Sequence, residues 1–374
     1  MRFAKKILAL LLVAGMAVSS FEGIGIQAKE IKLAVPVISV KTVKNGTGVK
    51  VTIKKTKDAE GFEVYASGTP DSYVGYKEYR CSLAEFAILN YNGSKVAEIE
   101  KNGKAKRTVT IKTLPPGSYK IKVRSYNSKK YGTMTYSDFS KEKSVKLKEA
   151  SKGYSLSYDF SKVKKGDVIK FGTYEQDGDF TNGKEAIEWI VLYKTEGQIF
   201  VVSKYVLDGL PYNKERESVT WEDCTLREWL NEKFYANAFN KSEKRMIKAT
   251  IVENHDNAVH GTVGGKDTKD KVFLLSQLDV INTDYGFADD YDTYDEYRRC
   301  AATAYAKVQI PAVRSGKYTS DLEEPCDWWL RSPGASAYKT VVVFSSGNVY
   351  SEGLANFMYN FDGVRPALVI ALQS

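Results

Sequence analysis

Histidine and cysteine are scarce in this sequence of 374 residues, which has two histidines and four cysteines. Structural zinc sites use closely spaced ligand pairs, and no two of the cysteines lie close together along the chain. His255 and His260 are five positions apart, whereas the two histidines of a helical zinc pair are four apart. No nucleophile-and-base motif exceeds the matches expected by chance. The sequence therefore predicts neither a zinc site nor catalytic residues.

Long apolar runs are also lacking. The N-terminal run, Ile7–Val18, follows three basic residues and is shorter than the ~20 residues of a membrane-spanning helix. A basic start, a short apolar run and then a small residue, here Ala28, are typical of a cleaved secretory signal. We expect residues 1–28 to be a cleaved signal peptide; an uncleaved anchor is the alternative. The mature chain is then secreted, either free or associated with the cell wall, and has no transmembrane segment.

Charge divides the sequence into two parts. Residues 29–149 contain 25 Lys+Arg and 12 Asp+Glu, a balance of +13, whereas residues 150–374 contain 27 and 33, a balance of −6. Such a difference favours two modules with different surroundings. A basic module outside the cell suits a cell-wall polyanion or an acidic glycan, and export argues against nucleic acid as a partner. Alternatively, the lysines only solvate exposed strands and protect sheet edges.

Apolar and polar side chains alternate through residues 31–148. A period of two is typical of half-buried strands, and turn signals such as Asn-Gly separate the segments. Short alternating strands without a clear helix predict a β-sandwich. Residues 149–166 are polar and predict a linker. The predicted strands are VKVTIKK (49–55), GFEVYAS (61–67), RTVTIKT (107–113), YKIKVRSYN (119–127) and KSVKLK (143–148).

Three segments of this first module carry a family resemblance: AEGFEVY (59–65), LPPGSYKIKVRSY (114–126) and YSDFS (136–140). In this order they resemble the fibronectin type III-like modules of bacterial surface proteins. The sequence departs from that pattern in lacking the early core tryptophan and in carrying an insertion at about 68–103, where SLAEFAILN (82–90) predicts a short helix or an extra strand. The resemblance implies a role as a spacer or in adhesion.

Residues 167–374 mix strands with one or two helices, which predicts an α+β domain. The first strands, 167–176, 187–195 and 198–207, are spaced as in an antiparallel meander. Apolar residues at helical spacing within 221–239 predict an amphipathic helix, and a second short helix is expected from Ser242.

Five blocks in this second part occur in the order of a known family: WLN (229–231), GTVGGKDTKDKVFLLS (261–276), TAYA (303–306), WWLRSPG (328–334) and GVRPAL (363–368). Over residues 165–372 the chain resembles an extracellular bacterial domain family of unknown function. The layout of the later blocks is also similar to C-type-lectin-like and sulfatase-modifying-factor folds. That similarity implies paired terminal strands and loops that form a ligand face. The predicted fold is mostly β, a fibronectin type III-like sandwich (31–148) followed by an α+β C-type-lectin-like domain (167–374).

Aromatic and arginine side chains in the later blocks are the candidate ligand contacts. Aromatic rings stack on the faces of sugars, and a guanidinium group binds carboxylates or paired hydroxyls. The competing interpretation is that the tryptophans belong to the core and the arginines bind loop carbonyls. The candidates are Trp328, Trp329, Arg331, Asn356 and Arg365.

Two further sites depend on export. Asp290, Asp292 and Asp295, in an acidic run, offer oxygen ligands for Ca²⁺, although the run lacks the spacing of an EF-hand and a solvated loop is the alternative. No other cofactor is predicted. Cys300 and Cys326 are the preferred disulfide pair in an oxidising compartment.

Three functions fit these observations. The first is a secreted or surface-associated binding or adhesion protein that recognises a glycan or a protein through its C-terminal domain. The second is a secreted hydrolase or modifying enzyme acting on cell-wall or host glycans, which requires a deep pocket with two titratable groups. The third is a purely structural surface component, which requires that Trp328 and Trp329 are both fully buried.

Overall fold

The computed structural model describes residues 32–54, 56–70, 106–127, 133–150, 159–310, 324–357 and 362–372. The predicted signal peptide and the segment 82–90 lie outside these ranges. Strands make up 39% of the chain and helices 13%, which confirms the mostly-β prediction. Within the described ranges, no helix has the length and apolar character needed to cross a membrane.

The described part of the first module folds into two antiparallel sheets. One sheet has the order β1-β2-β4, and in the other β5 pairs with β3, β6 and β7. The strands are β1 (Ile38–Thr42), β2 (Val49–Lys54), β3 (Gly61–Pro70), β4 (Lys106–Ile111), β5 (Gly117–Asn127), β6 (Thr135–Tyr136) and β7 (Lys143–Leu147).

The predicted alternation decides which side chains meet between these sheets. Along β5 every second residue from Gly117 is buried and the residues between them face outward, because successive strand side chains point to opposite faces. Val51 of β2 and Ile121 and Val123 of β5 are fully buried in one core with residues of the other strands. The two sheets therefore pack as a sandwich.

The second domain has its own core, formed by residues between Phe160 and Ile370. Its strands are β8 (Val168–Tyr174), β9 (Glu185–Lys194), β10 (Gln198–Ser203), β11 (Asp208–Leu210), β12 (Ile247–Lys248), β13 (Thr250–Val252), β14 (Thr268–Asp270), β15 (Trp328–Pro333), β16 (Lys339–Val343), β17 (Val349–Ala355), β18 (Asp362–Val364) and β19 (Ala367–Ala371). Its α-helices are α1 (Thr225–Trp229), α2 (Tyr235–Ala238), α3 (Lys241–Met246) and α4 (Ala304–Gln309), and a π-helical turn at Leu230–Phe234 joins α1 to α2.

Two five-stranded sheets organise this domain, in the orders β12-β19-β10-β9-β8 and β11-β18-β15-β16-β17. Strands β8, β9 and β10 form the predicted antiparallel meander. The terminal strands β8 and β19 share a sheet but do not pair with each other, since β9 and β10 lie between them. The paired terminal strands implied by the lectin-like layout are therefore not found among the described residues of this domain.

The predicted helix over 221–239 begins later than expected. Trp221 is fully buried and its indole donates a hydrogen bond to Asp270 at 2.9 Å, so residues before Thr225 turn into the core. Helix α1 begins after Cys224, whose sulfur accepts a hydrogen bond from the backbone N–H of Arg227. Helix α3 begins after Asn240, which forms a capping box with Glu243.

Candidate functional site

All five predicted ligand residues lie inside the second domain. Every residue of strand β15 is buried on both faces of the sheet, so neither tryptophan of the doublet faces solvent. The five residues are thus internal supports and do not form a shared surface. The exposed fractions are 0% for Trp328, 0% for Trp329, 7% for Arg331, 0% for Asn356 and 1% for Arg365.

Trp328 and Arg365 converge on one backbone carbonyl. The Trp328 indole N–H donates to the carbonyl of Arg298 at 3.0 Å, and an Arg365 guanidinium N–H approaches the same oxygen at 3.5 Å. The Arg365 guanidinium also lies 4.8 Å from the centre of the Trp328 ring, a cation–π distance. These two residues therefore fix the position of Arg298.

The other three candidates connect loops to the sheet. The Trp329 indole donates to the carbonyl of Leu210 at 2.9 Å. Arg331 donates to the carbonyl of Leu274 at 2.8 Å and to the Asp279 carboxylate at 2.6 Å. The Asn356 amide donates to the carbonyl of Ala337 at 3.0 Å. Arg331 therefore fits the competing interpretation, in which the arginines bind loop carbonyls and not a ligand.

Arg298 in turn binds the backbone of residues 289–299, which we call the tyrosine loop. Its guanidinium donates to the carbonyls of Asp290 at 2.5 Å and Thr293 at 2.6 Å, and it lies 3.4 Å from the Asp295 carboxylate. Arg298 is fully buried, and burial lowers its pKa although Asp295 and Asp290 act in the opposite direction. The loop is therefore held from below by a buried cation that binds its backbone.

Other side chains of the tyrosine loop point outward. Tyr294 is 56% exposed and Tyr297 is 66% exposed, and the carboxylates of Asp292 and Glu296 are exposed beside them. The Tyr294 hydroxyl contacts Glu296 and accepts a hydrogen bond from Arg299 at 2.5 Å. Exposed aromatic rings next to acceptor groups on a fixed backbone are a surface suited to recognition.

The hairpin between β16 and β17 borders the tyrosine loop. Val349 donates its backbone N–H to the carbonyl of Tyr291 at 2.8 Å, and the Asn348 amide contacts the carbonyl of Asp292. The rings of Phe344 and Tyr350 stack with their centres 5.0 Å apart, and both are half-buried. The aromatic surface thus extends from the loop onto the hairpin.

The predicted Ca²⁺ ligands do not come together as a ligand set among the described residues. The Asp290 carboxylate accepts hydrogen bonds from the backbone of Asp292 and Thr293 and from the Thr293 hydroxyl. The Asp295 carboxylate accepts from the backbone of Ala288 and Tyr297. These carboxylates shape the loop, since their oxygens already bind its N–H groups.

A different carboxyl group cluster lies where β8 ends and β9 begins. Oxygens of Glu175, Asp177 and Glu185 lie within 4.8 Å of one another. Burial, the charge of Glu185 and a hydrogen bond with Asp177 together raise the pKa of Glu175 to about 8, against a hydrogen bond from the Gly178 backbone. Chemically, such a cluster holds either a proton between carboxyl groups or a divalent cation.

Cys224, Cys300 and Cys326 are buried free thiols in the structure, and Cys81 lies outside the described residues. The predicted pair is nevertheless adjacent. The backbone N–H of Cys326 donates to the carbonyl of Cys300 at 3.0 Å, next to an antiparallel bridge between Ala301 and Pro325. The two cysteines are therefore directly opposite each other.

Residues 196–372 match a family described as a domain of unknown function, DUF6273. This match confirms the resemblance to an uncharacterised domain family for that part of the chain. No curated protein and no solved structure that was compared is similar to the chain.

The match explains several of the recognisable blocks in physical terms. Asn231 of WLN donates to the carbonyl of Val272 at 2.9 Å and accepts the backbone N–H of Lys271 at 2.8 Å, which joins the first block to the second. Thr303 of TAYA caps α4 by accepting the backbone N–H of Ala306. Gly265 has a φ of +90° and contacts Thr220 so closely that a side chain would not fit. These blocks are scaffold residues.

Sequence reasoning missed two features. In the sequence, the tyrosine loop is only an irregular stretch rich in acids and tyrosine. It has no periodicity that would indicate that the buried Arg298 binds its backbone. The two ends of the carboxyl cluster, Glu175 and Glu185, are ten positions apart in the sequence. They meet because β8 pairs with β9 so that Tyr174 lies opposite Glu185. The local signal was the density of acids around the turn glycine Gly178.

Proposed function

We propose that the chain is a secreted or cell-surface-associated binding protein whose C-terminal domain recognises a neutral glycan through the tyrosine loop. One observation carries the proposal. Tyr294 and Tyr297 expose more than half of their surface on a loop that the buried Arg298 holds in place. A fixed backbone under exposed rings reduces the entropy lost when a ligand binds.

The chemistry of the loop favours a sugar without negative charge. Tyrosine rings stack on the C–H faces of a sugar, and the carboxylates of Asp292 and Glu296 accept hydrogen bonds from sugar hydroxyls. Glu296 is paired with Arg299 at 3.3 Å, but the Asp292 carboxylate repels an acidic polymer, and the whole part from residue 150 onward has a balance of −6. A neutral glycan is thus the best match.

The finer fold assignments belong to the same proposal. The division of the first module into a β1-β2-β4 sheet and a sheet around β5 supports a fibronectin type III-like relationship, which implies a spacer or adhesive role. Lectin-like recognition by the second domain rests on the tyrosine loop and does not require the strand pairing of C-type lectins. Export rests on the predicted signal peptide.

A glycan array probed with the mature chain, residues 29–374, tests the proposal. We expect binding to neutral glycans and a loss of about tenfold or more for Tyr297→Ala, because a stacked ring is among the strongest contacts of such a site. Tyr338→Ala is the matched control, since Tyr338 is 50% exposed and lies outside the loop. A silent array, or equal losses for the two variants, would overturn the proposal.

A purely structural surface component is the second candidate. It is favoured by the complete burial of both Trp328 and Trp329, which that function requires. If this function is correct, the wild-type chain binds no glycan on the array. Replacing Tyr294 and Tyr297 by alanine is then expected to change neither binding nor retention at the cell surface. The array therefore separates the two candidates.

A further inference from the structure

A groove of about 450 Å³ crosses the outer face of the sheet around β5 in the first module. Two rows of outward side chains cross it. Ser67, Lys120 and Ser144 lie opposite one another in the first row, and Ser118 lies opposite Lys146 in the second. The residues lining the groove are Ser67, Gly68, Ser118, Tyr119, Lys120, Ser144, Val145 and Lys146.

Local packing creates this concave surface. At Gly68 a side chain would lie 2.2 Å from the carbonyl of Ser118, so only glycine lets β3 approach β5 this closely. On β5, Tyr119 points into the core. The outward side chains of the groove are therefore short serines between longer lysines. The floor of the groove is therefore backbone and serine hydroxyls, and its walls carry ammonium groups.

The donors of the groove are available to a ligand. Within the described part of the chain, no hydrogen bond is formed by the hydroxyls of Ser67, Ser118 and Ser144, and no ion pair by Lys146. Lys120 lies 3.4 Å from the Glu142 carboxylate, but both side chains are largely exposed, and such a pair contributes little. Three hydroxyls and two ammonium groups thus line one groove on the outer face of three neighbouring strands.

We propose that this groove binds a phosphate or sulfate ester group of an acidic polymer. A polymer of such groups presents three or more oxygens at each ester, which suits hydroxyl and ammonium donors spread across one face of three neighbouring strands, whereas a planar carboxylate has only two oxygens. The balance of +13 over residues 29–149 attracts a polyanion to this module. The groove lies in the first module, outside the domain that contains the tyrosine loop. Its proposed ligand is negatively charged, whereas the glycan proposed for the tyrosine loop is neutral.

Binding of polymers to the mature chain tests this site. We expect micromolar or tighter binding of poly(glycerol phosphate), a sulfated polysaccharide or both, and about tenfold weaker binding of polygalacturonate, whose charges are carboxylates. A phosphate polymer bound in preference to the sulfated one identifies phosphate as the natural group, and the reverse result identifies sulfate. Equal binding of all three polymers would show that the groove does not select an ester group.

Two variants that remove the same charge separate the groove from diffuse attraction. Lys146→Gln removes a groove lysine, and Lys50→Gln removes an exposed lysine from β2 in the other sheet. We expect about a tenfold loss for the first and less than about twofold for the second, because one charge-assisted hydrogen bond accounts for about tenfold. Ser118→Ala, which changes no charge, is expected to weaken binding several-fold. Equal losses for the two lysine variants would overturn the proposal.

Discussion

Glu175 shows how the environment of one residue changes its chemistry. Its side chain is 2% exposed and lies among two other carboxyl groups. Burial of a carboxyl group disfavours its charged form, and the neighbouring charge of Glu185 acts in the same direction. The pKa of about 8 means that Glu175 holds a proton at neutral pH. The neighbouring Asp177 carboxylate accepts hydrogen bonds from the backbone N–H of Asp179 and from the Asn182 amide.

This protonation predicts a pH-dependent stability. The folded pKa of about 8 is above the ordinary value of 4.5, so the contribution of the protonated group is complete below pH 4.5 and is lost as the pH rises through about 8. Glu175→Gln, which stays neutral, is therefore expected to be more stable than the wild type by a few kcal/mol at pH 9 and equally stable at pH 4.5. Urea unfolding across this pH range measures the difference.

The control for Glu175 is Glu196→Gln, which changes an exposed carboxyl group in the turn between β9 and β10 and is expected to have no such effect. Addition of Ca²⁺ to the wild type at pH 7 supplies the opposing result. A rise in melting temperature that Glu175→Gln abolishes would mean that a cation, and not a proton, occupies the cluster.

At the scale of elements, the segment that follows the tyrosine loop and the segment that precedes β15 are joined by a short antiparallel bridge around Cys300 and Cys326. Residues directly opposite each other in a hydrogen-bonded antiparallel pair have Cα atoms about 5.5 Å apart, within the range that a disulfide spans. Both thiols are buried. The neighbouring thiol is one of the groups that raise the pKa of Cys326, after burial itself. Oxidation outside the cell would therefore require little movement of the backbone.

We predict that the chain, once exported as we propose, carries a Cys300–Cys326 disulfide. The bond would close a loop of about 26 residues, and the Cys300→Ser, Cys326→Ser double variant is then expected to lose about 3 kcal/mol of unfolding free energy. Peptide mapping without reductant detects the linked peptides. Full labelling of both thiols in the unfolded, unreduced protein would contradict the prediction, and Cys224→Ser serves as the control for the loss of a buried thiol.

At the scale of the whole molecule, the loop between β8 and β9 joins the two modules. The Asp179 carboxylate lies 2.6 Å from the ammonium of Lys112, and the backbone N–H of Phe180 donates to the carbonyl of Lys112 at 3.0 Å. Lys184 lies 2.7 Å from Glu149. This loop begins at the carboxyl cluster, so the state of Glu175 and the contact between the modules are adjacent in the chain.

Asp179→Ala is expected to weaken this contact between the modules by about 1 kcal/mol, since Lys112 is more than half exposed. Burial opposes ionisation of Asp179, but hydrogen bonds from Lys112 and Thr181 lower its pKa below 3.8. The contribution is therefore present above pH 3.8 and is lost on acidification. Small-angle scattering is expected to show a larger radius of gyration for the variant.

The control for the junction is Asp138→Ala, which removes an exposed ion pair with Lys32 inside the first module. It is expected to leave the radius of gyration unchanged. Identical scattering from the wild type and from Asp179→Ala would show that this ion pair does not hold the modules together.

The sequence by itself determined the strands of the first module, the meander at the start of the second domain and the two helical regions around 221–246. Alternation and helix capping depend on residues that are close together in the sequence, so they can be recognised without knowledge of tertiary contacts. The uncharacterised family was also recognisable from blocks such as WWLRSPG, because their order survives in the linear chain.

Only the tertiary structure decided what those blocks do. Trp328 and Arg365 are residue types that are common in ligand sites. However, β15 is a central strand whose two faces are both covered, and no local sequence pattern indicates which elements cover a sheet. Burial turned these residues into supports for Arg298, and Arg298 in turn fixed the loop that exposes Tyr294 and Tyr297. The carboxyl cluster arose in the same way, because strand pairing brought together acids that the sequence holds ten residues apart.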